Sequence, residues 1–230
     1  MGLPYLPPED ILSQNTNIRS NLAQGRPTWC VRSGLAQSLI YKRTNANSAI
    51  LEVGCGAGAL ASELIEKGYK KIALVDIDDY LMEDVRQKVD IKLLDVCFNP
   101  LPFNDNTLDS VLAFAIVEHL ENPYFFAREV SRILKKGGVF FFSVPNIFSL
   151  RAKLGFMFRG DIKGYSETNN HITLFTKAVF NKVFCKHFVI SEIYFDQGYI
   201  SLLGKKIRFP KMNFFGKWFG AKVLYVLEKK

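Results

Sequence analysis

The run Ile50-Leu51-Glu52-Val53-Gly54-Cys55-Gly56-Ala57-Gly58 places three glycines at alternate positions directly after a short apolar stretch. Glycine there lets a strand turn sharply into a helix and lets backbone come close to a ligand. The start of that helix would offer unpaired N–H groups. Asp76 follows Gly54 by 22 residues, at the end of the next apolar run. A carboxylate at that place can accept hydrogen bonds from both hydroxyls of a ribose. Spacing alone does not choose the ligand, because Gly54, Gly56 and Ala59 also satisfy the dinucleotide fingerprint G-x-G-x-x-A. Glu52 separates the alternatives. A carboxylate beside the turn repels a pyrophosphate but attracts an ammonium or sulfonium group, which favours S-adenosyl-L-methionine over NAD.

Methyl transfer from a sulfonium asks the protein to align the reacting atoms and, for a hydroxyl acceptor, to remove a proton. Histidine is the natural base near neutral pH, and the chain has three. His119 follows Glu118 just after an apolar run. His171 lies in Asn169-Asn170-His171-Ile172-Thr173, and both are candidate catalytic bases. Each could equally pack and hydrogen-bond near the site without moving a proton. His187 sits in a late helical segment and reads as structural or exposed. No set of side chains has metal-ligand spacing, so no metal is expected.

The elements that must position these residues alternate apolar, β-branched runs with amphipathic segments, the pattern of a parallel sheet covered by helices. The expected strands are Ala49 to Val53, Lys71 to Ile77, Ile91 to Val96, Ser110 to Ile116, Val139 to Val144, Val189 to Asp196 and Lys222 to Leu227. The strand from Ser110 is apolar throughout, so both of its faces should be covered. Helices are expected over Ala59 to Lys67, Tyr80 to Val89, Pro123 to Leu134 and Thr176 to Phe188, the last capped by Thr176. Val31, Leu35 and Leu39, four residues apart, suggest one helix covering the sheet or the site. We expect one domain over 1–230, with a helical cover at 1–45. An insertion at 146–170 and a basic aromatic segment at 198–221 would lie on the acceptor side or face a membrane.

In order, the pieces LEVGCGAG, VDID, LLDV, LPFNDNTLDSVLAFAIVEHLENP and LKKGGVFFFSVPN resemble the class I S-adenosylmethionine-dependent methyltransferases. Within that family the likeness is to small-molecule enzymes similar to the ubiquinone-biosynthesis O-methyltransferases. It extends over roughly Ala49 to Asp196. The resemblance implies a Rossmann-like α/β fold with a seven-stranded, mostly parallel sheet, helices on both faces and the last strand antiparallel. It implies that Glu52, Gly54, Cys55, Gly56 and Gly58 surround the methionine part of the cofactor. Asp76 would hold the ribose, and Ile77 would lie against the adenine. Asp95 and Val96 would meet the adenine edge, while Phe114 and Ala115 would lie near the sulfonium. The product would be S-adenosyl-L-homocysteine. The Asn-Pro-Pro-Tyr and Asp-Pro-Pro-Tyr motifs of the amino-methylating nucleic-acid branches do not follow the fourth strand, so nucleic acid is not an expected partner.

At 230 residues, with 48% hydrophobic and 23% charged residues, the composition is that of a globular domain rather than a disordered or fibrous chain. No run reaches the roughly 18 apolar residues needed to span a bilayer, and the first residues lack a secretory pattern. Four scattered cysteines without C-x-x-C spacing fit a reducing cytoplasm. The net charge of +8 is concentrated. From Ser201 onward eight basic residues face one acid, Glu228, which accounts for +7 of it. In 204–219 lysines flank Phe214, Phe215, Trp218 and Phe219, which a helix would place on one face. Such a segment can lie on an anionic membrane, line an acceptor pocket, or pack on the sheet with its lysines solvated. The reading is therefore a methyltransferase acting on a small or lipid-linked acceptor, at oxygen. Its rivals are an NAD-dependent oxidoreductase and a non-catalytic cofactor-binding or membrane-docking protein of the same fold.

Overall fold

The computed structural model describes residues 28–162, 164–165, 170–197, 199–202, 205–208 and 212–230. The first 27 residues of the expected N-terminal cover lie outside that set. Seven strands form one sheet: β1 (Ala49–Val53), β2 (Lys71–Asp76), β3 (Ile91–Leu93), β4 (Leu108–Phe114), β5 (Leu134–Pro145), β6 (Phe188–Phe195) and β9 (Lys222–Lys229). A hairpin of β7 (Tyr199–Leu202) and β8 (Lys205–Arg208) stands apart. The order across the sheet is β3-β2-β1-β4-β5-β9-β6. The strands β1 to β5 run parallel, and β9 lies antiparallel between β5 and β6. The expected seven-stranded, mostly parallel sheet with its last strand antiparallel is what the chain forms.

Strand alternation sends side chains to two apolar layers. Val111, Ala113, Phe140, Phe142 and Tyr225 pack beneath α5 (Pro123–Ile133) and α7 (Lys177–Val183). Leu112, Phe114, Phe141, Leu224 and Val226 face α2 (Leu35–Arg43) and α3 (Ala59–Glu66). The first layer is rich in aromatic rings. Phe142 lies 4.8 Å from both Phe140 and Phe184, and 5.3 Å from Tyr225, centroid to centroid. Both faces of β4 are covered, as its unbroken apolar run requires. Asn122 caps α5 through Phe125 N–H and Thr176 caps α7 through Val179 N–H. Among the described residues no helix is long and apolar enough to cross a membrane.

Several elements differ from their sequence patterns for local reasons. The expected N-terminal helix is two, α1 (Trp29–Arg32) and α2, because Gly34 adopts a left-handed conformation (φ 72°) between them. The expected helix from Tyr80 to Val89 shrinks to α4 (Glu83–Arg86). Asp78 and Asp79 accept hydrogen bonds from Asp79 N–H and Leu81 N–H, and these side-chain turns compete with helix. The third strand stops at Leu93 because Asp95 Oδ1 takes Cys97 N–H instead. β5 begins at Leu134, but residues 135–138 bulge out, so Leu108 pairs with Leu134 and Ser110 with Val139. The expected 146–170 insertion contains a helix, α6 (Leu150–Arg159), capped by Ser149. Of the segment at 198–221, the described residues form the hairpin followed by α8 (Asn213–Phe219).

The strands on either side of β1 are reached in opposite directions along the sheet, so a crevice opens beyond the carboxyl ends of β1 and β4. Gly54 sits at its floor, where a Cβ would come within 1.9 Å of Ile116 Cδ1. Gly68 is also left-handed (φ 85°) but has open space around it. Gly68→Ala should therefore cost only the backbone strain, about 1–2 kcal/mol. Gly54→Ala should cost roughly 1–3 kcal/mol more, because Ile116 must also be displaced. Urea-denaturation midpoints of the two variants test this; equal losses would mean that Ile116 does not pack against Gly54.

Candidate functional site

At the end of β1 three residues in five are left-handed, Gly54 (φ 70°), Gly56 (φ 52°) and Gly58 (φ 79°). Gly54 N–H donates to Val75 O at 2.8 Å, which ties the turn to β2. Gly58 precedes α3, and a Cβ there would lie 2.8 Å from Val85 Cγ1 and 2.9 Å from Leu81 Cδ2. Side chains at Gly54 and Gly58 would be strained and would collide with Ile116 and with Val85 and Leu81. Asp76 reaches across from β2. Its Oδ2 accepts Gly56 N–H at 2.8 Å and its Oδ1 accepts Ile77 N–H at 2.7 Å. Burial pushes its carboxyl up, while those two hydrogen bonds and the Cys55 thiol pull it down.

Glu52 is buried, 6% exposed, and its Oε2 has no hydrogen-bond partner among the described residues. Burial and, behind it, the negative charge of Asp76 push its carboxyl up to about 8. An unpaired carboxylate in that position is costly, and a cation beside it would relieve the cost. Burial likewise pushes the neighbouring Cys55 thiol up, which makes it a poor nucleophile. At the end of β4, Phe114 is buried and Ala115 is left-handed (φ 59°), a strained conformation for a residue with a Cβ. Ala115 N–H is held by Ser143 O at 3.2 Å and Ser143 Oγ at 3.1 Å. Ile77 is exposed beyond Asp76, and Leu94 N–H donates to Asp76 O at 2.8 Å, which brings Asp95 and Val96 alongside. All eleven residues assigned to the cofactor thus stand at the carboxyl ends of four adjacent strands. Asp95 and Val96 are the outermost.

A second cluster follows β4. Val117 to His119 form a single 3-10 turn, and the segment from Asn170 folds over it. Ile172 N–H and Thr173 N–H both donate to Glu118 O, at 2.9 and 3.0 Å. His119 Nδ1 lies 3.1 Å from Asn170 O, and His171 Nδ1 is bonded to Gly164 O. A carbonyl only accepts, so both Nδ1 atoms carry the proton in the neutral rings and both Nε2 atoms present a lone pair. The rings meet edge to face at 4.6 Å, and Tyr165 stands edge-on to His171 at 5.5 Å. Burial lowers both imidazoles, His119 to about 4. Glu118 is fully buried with neither carboxyl oxygen hydrogen-bonded among the described residues, and burial pushes it up to about 7. His171 Nε2 is 4.0 Å from Glu118 Oε1.

Glu118, His119 and His171 offer one donor atom each, all within 4.8 Å of one another, a set able to hold a divalent cation. The sequence singled out all three residues but expected no metal-ligand cluster, because His171 is 52 positions from His119 and only tertiary structure closes that gap. Tyr165, which donates to Thr173 O at 3.1 Å and flanks His171, carried no sequence signal at all. His187 lies in the turn after α7, half-buried near Phe188 and outside this cluster.

Residues 51–142 match the family model described as a methyltransferase domain. With the sheet order and the crevice above, that match makes the chain similar to the class I S-adenosylmethionine-dependent methyltransferases over this stretch. A protein of Mycolicibacterium smegmatis described as a "Probable S-adenosylmethionine-dependent methyltransferase" is 34% identical over 114 residues, covering 47% of this chain and 43% of its own. The mitochondrial ubiquinone biosynthesis O-methyltransferase of Dictyostelium discoideum is 27% identical over 173 residues, covering 60% and 54%. The chain thus spans about half the length of these curated relatives. A solved S-adenosylmethionine-dependent methyltransferase from Archaeoglobus fulgidus shares the fold with a TM-score of 0.59 at 19% identity, covering 87% of this chain and 93% of that one.

The buried Glu118 has a stability consequence with a definite sign. Its carboxyl titrates near 4.5 unfolded and about 7 folded, so between those values the native state holds a proton that the unfolded state has lost. Its contribution is fully present below about 4.5 and is lost as pH rises through 7. Glu118→Gln should therefore be near-neutral at pH 5 and stabilising by about 1–3 kcal/mol at pH 8. Chemical denaturation at the two pH values measures this; equal effects at both would contradict the burial of an unpaired carboxyl.

Proposed function

We propose that the chain transfers a methyl group from S-adenosylmethionine to an oxygen atom of a small or lipid-linked acceptor. The observation that carries this reading is the buried carboxyl of Glu52, without a hydrogen bond at Oε2 among the described residues, beside a glycine turn that leaves no room for side chains at Gly54 and Gly58. An ammonium or sulfonium satisfies that carboxyl, whereas a pyrophosphate would be repelled, which disfavours the NAD-dependent alternative. Bound S-adenosylmethionine supplies the methyl group on a sulfonium leaving group. Asp76 would accept the ribose hydroxyls. Ile77, Asp95 and Val96 would border the adenine, while Glu52 with the turn Gly54, Cys55, Gly56 and Gly58 would hold the methionine part. The strained backbone at Ala115, beside Phe114, would lie nearest the reacting centre. The described relatives named as ubiquinone biosynthesis O-methyltransferases support oxygen as the acceptor atom.

The acceptor's proton would pass to an Nε2 lone pair in the His119–His171 pair, which burial keeps neutral above the acid range. The convergence of Glu118, His119 and His171 favours a second reading of the same cluster, in which these side chains hold a divalent cation that positions the acceptor oxygen. Metal analysis before and after dialysis against a chelator separates the two: chelator-insensitive turnover supports the base, and metal-restored turnover supports the cation.

Calorimetric titration with S-adenosylhomocysteine and, separately, NADH tests the cofactor. Binding of the first alone is expected, and Asp76→Ala should weaken it at least tenfold. Because Glu52 sits near 8 without a ligand, binding at pH 7 should release close to one proton, read from buffers of different ionisation enthalpy. Glu52→Gln should remove that release. Binding of NADH alone would sink the methyltransferase reading, and binding of neither would bring forward the non-catalytic protein of the same fold.

A further inference from the structure

The helix α6 is built inside out. Leu150, Leu154, Met157 and Phe158 occupy the positions i, i+4, i+7 and i+8 that make one helical face. In a helix covering a core that face turns inward. Here it turns outward: Met157 is 65% and Phe158 75% exposed, and the buried positions of the helix are the small residues Ala152 and Gly155. Phe156 adds a further exposed ring. Isolated apolar residues on a surface are ordinary, but a run of large ones on a single helix is not.

A second helix extends the same surface. α8 packs against α6, and Lys153 Nζ lies 4.5 Å from the centre of the Trp218 ring. The side-chain amide of the buried Asn146 donates to Gly216 O, Lys217 O and Gly220 O, at 3.3, 3.0 and 3.0 Å. It fastens the start of the α6 segment to α8. Phe214 and Trp218, four residues apart on α8, are both exposed, as is Met212 before it. The small Gly216 is the buried position, with a Cβ there coming within 2.6 Å of Phe195 Cβ. Both helices therefore seat their glycines on the protein and present Leu150, Leu154, Met157, Phe158, Phe214 and Trp218 outward, while Phe215 and Phe219 are half-buried.

The surrounding charge indicates what meets this face. Residues 149–161 and 212–222 carry Arg151, Lys153, Arg159, Lys217 and Lys222 against the single acid Asp161. Lys153, Arg159 and Lys217 are exposed around the apolar side chains. Bulky apolar groups ringed by cations match an anionic bilayer surface, with rings entering the acyl boundary and cations held at the head groups. We propose that α6 and α8 together form a docking platform for an anionic lipid membrane. The 204–219 segment expected from sequence contributes α8 to it, and the larger part comes from α6. Five residues after α6, Gly164 O binds His171, so the platform adjoins the cluster. Delivery of a lipid-linked acceptor to that cluster rests on the methyl-transfer reading; the docking itself does not.

Co-sedimentation of the full chain with vesicles, in the absence of any cofactor, tests the platform. Binding is expected to vesicles of phosphatidylcholine containing phosphatidylglycerol, and to be at least tenfold weaker to phosphatidylcholine alone. The variant Phe156→Ser/Phe158→Ser/Phe214→Ser should lose at least tenfold in vesicle affinity while keeping the unmodified circular dichroism and melting temperature. Lys153→Glu/Lys217→Glu should lose a similar amount and remove most of the salt dependence. No binding of the unmodified chain to the anionic vesicles would overturn the proposal, as would undiminished binding by a folded triple variant. Dimerisation of the unmodified chain that the triple variant abolishes would reassign the face to a second copy. S-adenosylhomocysteine binding, measured separately, keeps failure of the platform distinct from failure of the enzyme reading.

Discussion

Parallel pairing of β1 with β2 on one side and β4 on the other is the constraint on which the site depends. Backbone hydrogen bonds fix the register, Glu52 opposite Leu74 and Leu112, so the three strands end close together. The chain must then leave β1 in a space already limited by Ile116 from the end of β4. Only a turn without side chains at the crowded positions fits there, and the same turn exposes backbone to whatever enters. Asp76 closes the arrangement from β2 by bonding Gly56 N–H. Steric necessity and ligand access thus arise from one set of atoms.

The sheet also explains why two buried carboxyl groups keep oxygens without hydrogen-bonded partners among the described residues, Glu52 at Oε2 and Glu118 at both. Glu52 and Glu118 are carried into the interior by residues whose neighbours are apolar: Leu51 and Val53 around one, Val117 and Leu120 around the other. Both are pushed well above the ordinary carboxylate range by desolvation. Elsewhere the chain pairs its carboxylates with cations, as Glu129 with Arg132 at 2.7 Å and Asp109 with Lys135 at 2.6 Å. A fold that satisfies these but leaves Glu52 Oε2 and both oxygens of Glu118 unsatisfied among the described residues carries a local cost at two places where a ligand can offset it. The strain at Ala115 lies at the end of the strand between them.

Away from the crevice, packing follows a simpler rule. The layers over the sheet are filled by large side chains, with Phe126, Phe140, Phe141 and Phe142 wholly buried. On α6 and α8 the small residues take the inner positions, so the hydrophobic effect is not spent within this chain. That reversal distinguishes a surface prepared for something else from one that completes a core.

What the sequence by itself determined is whatever depends on neighbours along the chain. Apolar runs of strand length marked β1 to β5, a cap residue marked α7, and alternating glycines after β1 marked the turn, because each signal acts over fewer than ten residues. Even there, side chains such as Asp78, Asp79 and Asp95, which bond nearby backbone, shortened α4 and β3 in ways that apolar periodicity does not report. The tertiary structure alone decided which residues meet. Nothing along the chain links His171 to Glu118 and His119; the backbone bonds from Ile172 and Thr173 to Glu118 O do so, and they exist only once the segment folds over β4. Likewise the pattern of α6 is the same whether its apolar face turns in or out. Its packing on α8, and the lock made by Asn146, settle the direction, because burial is a property of what surrounds a side chain and not of the side chain itself.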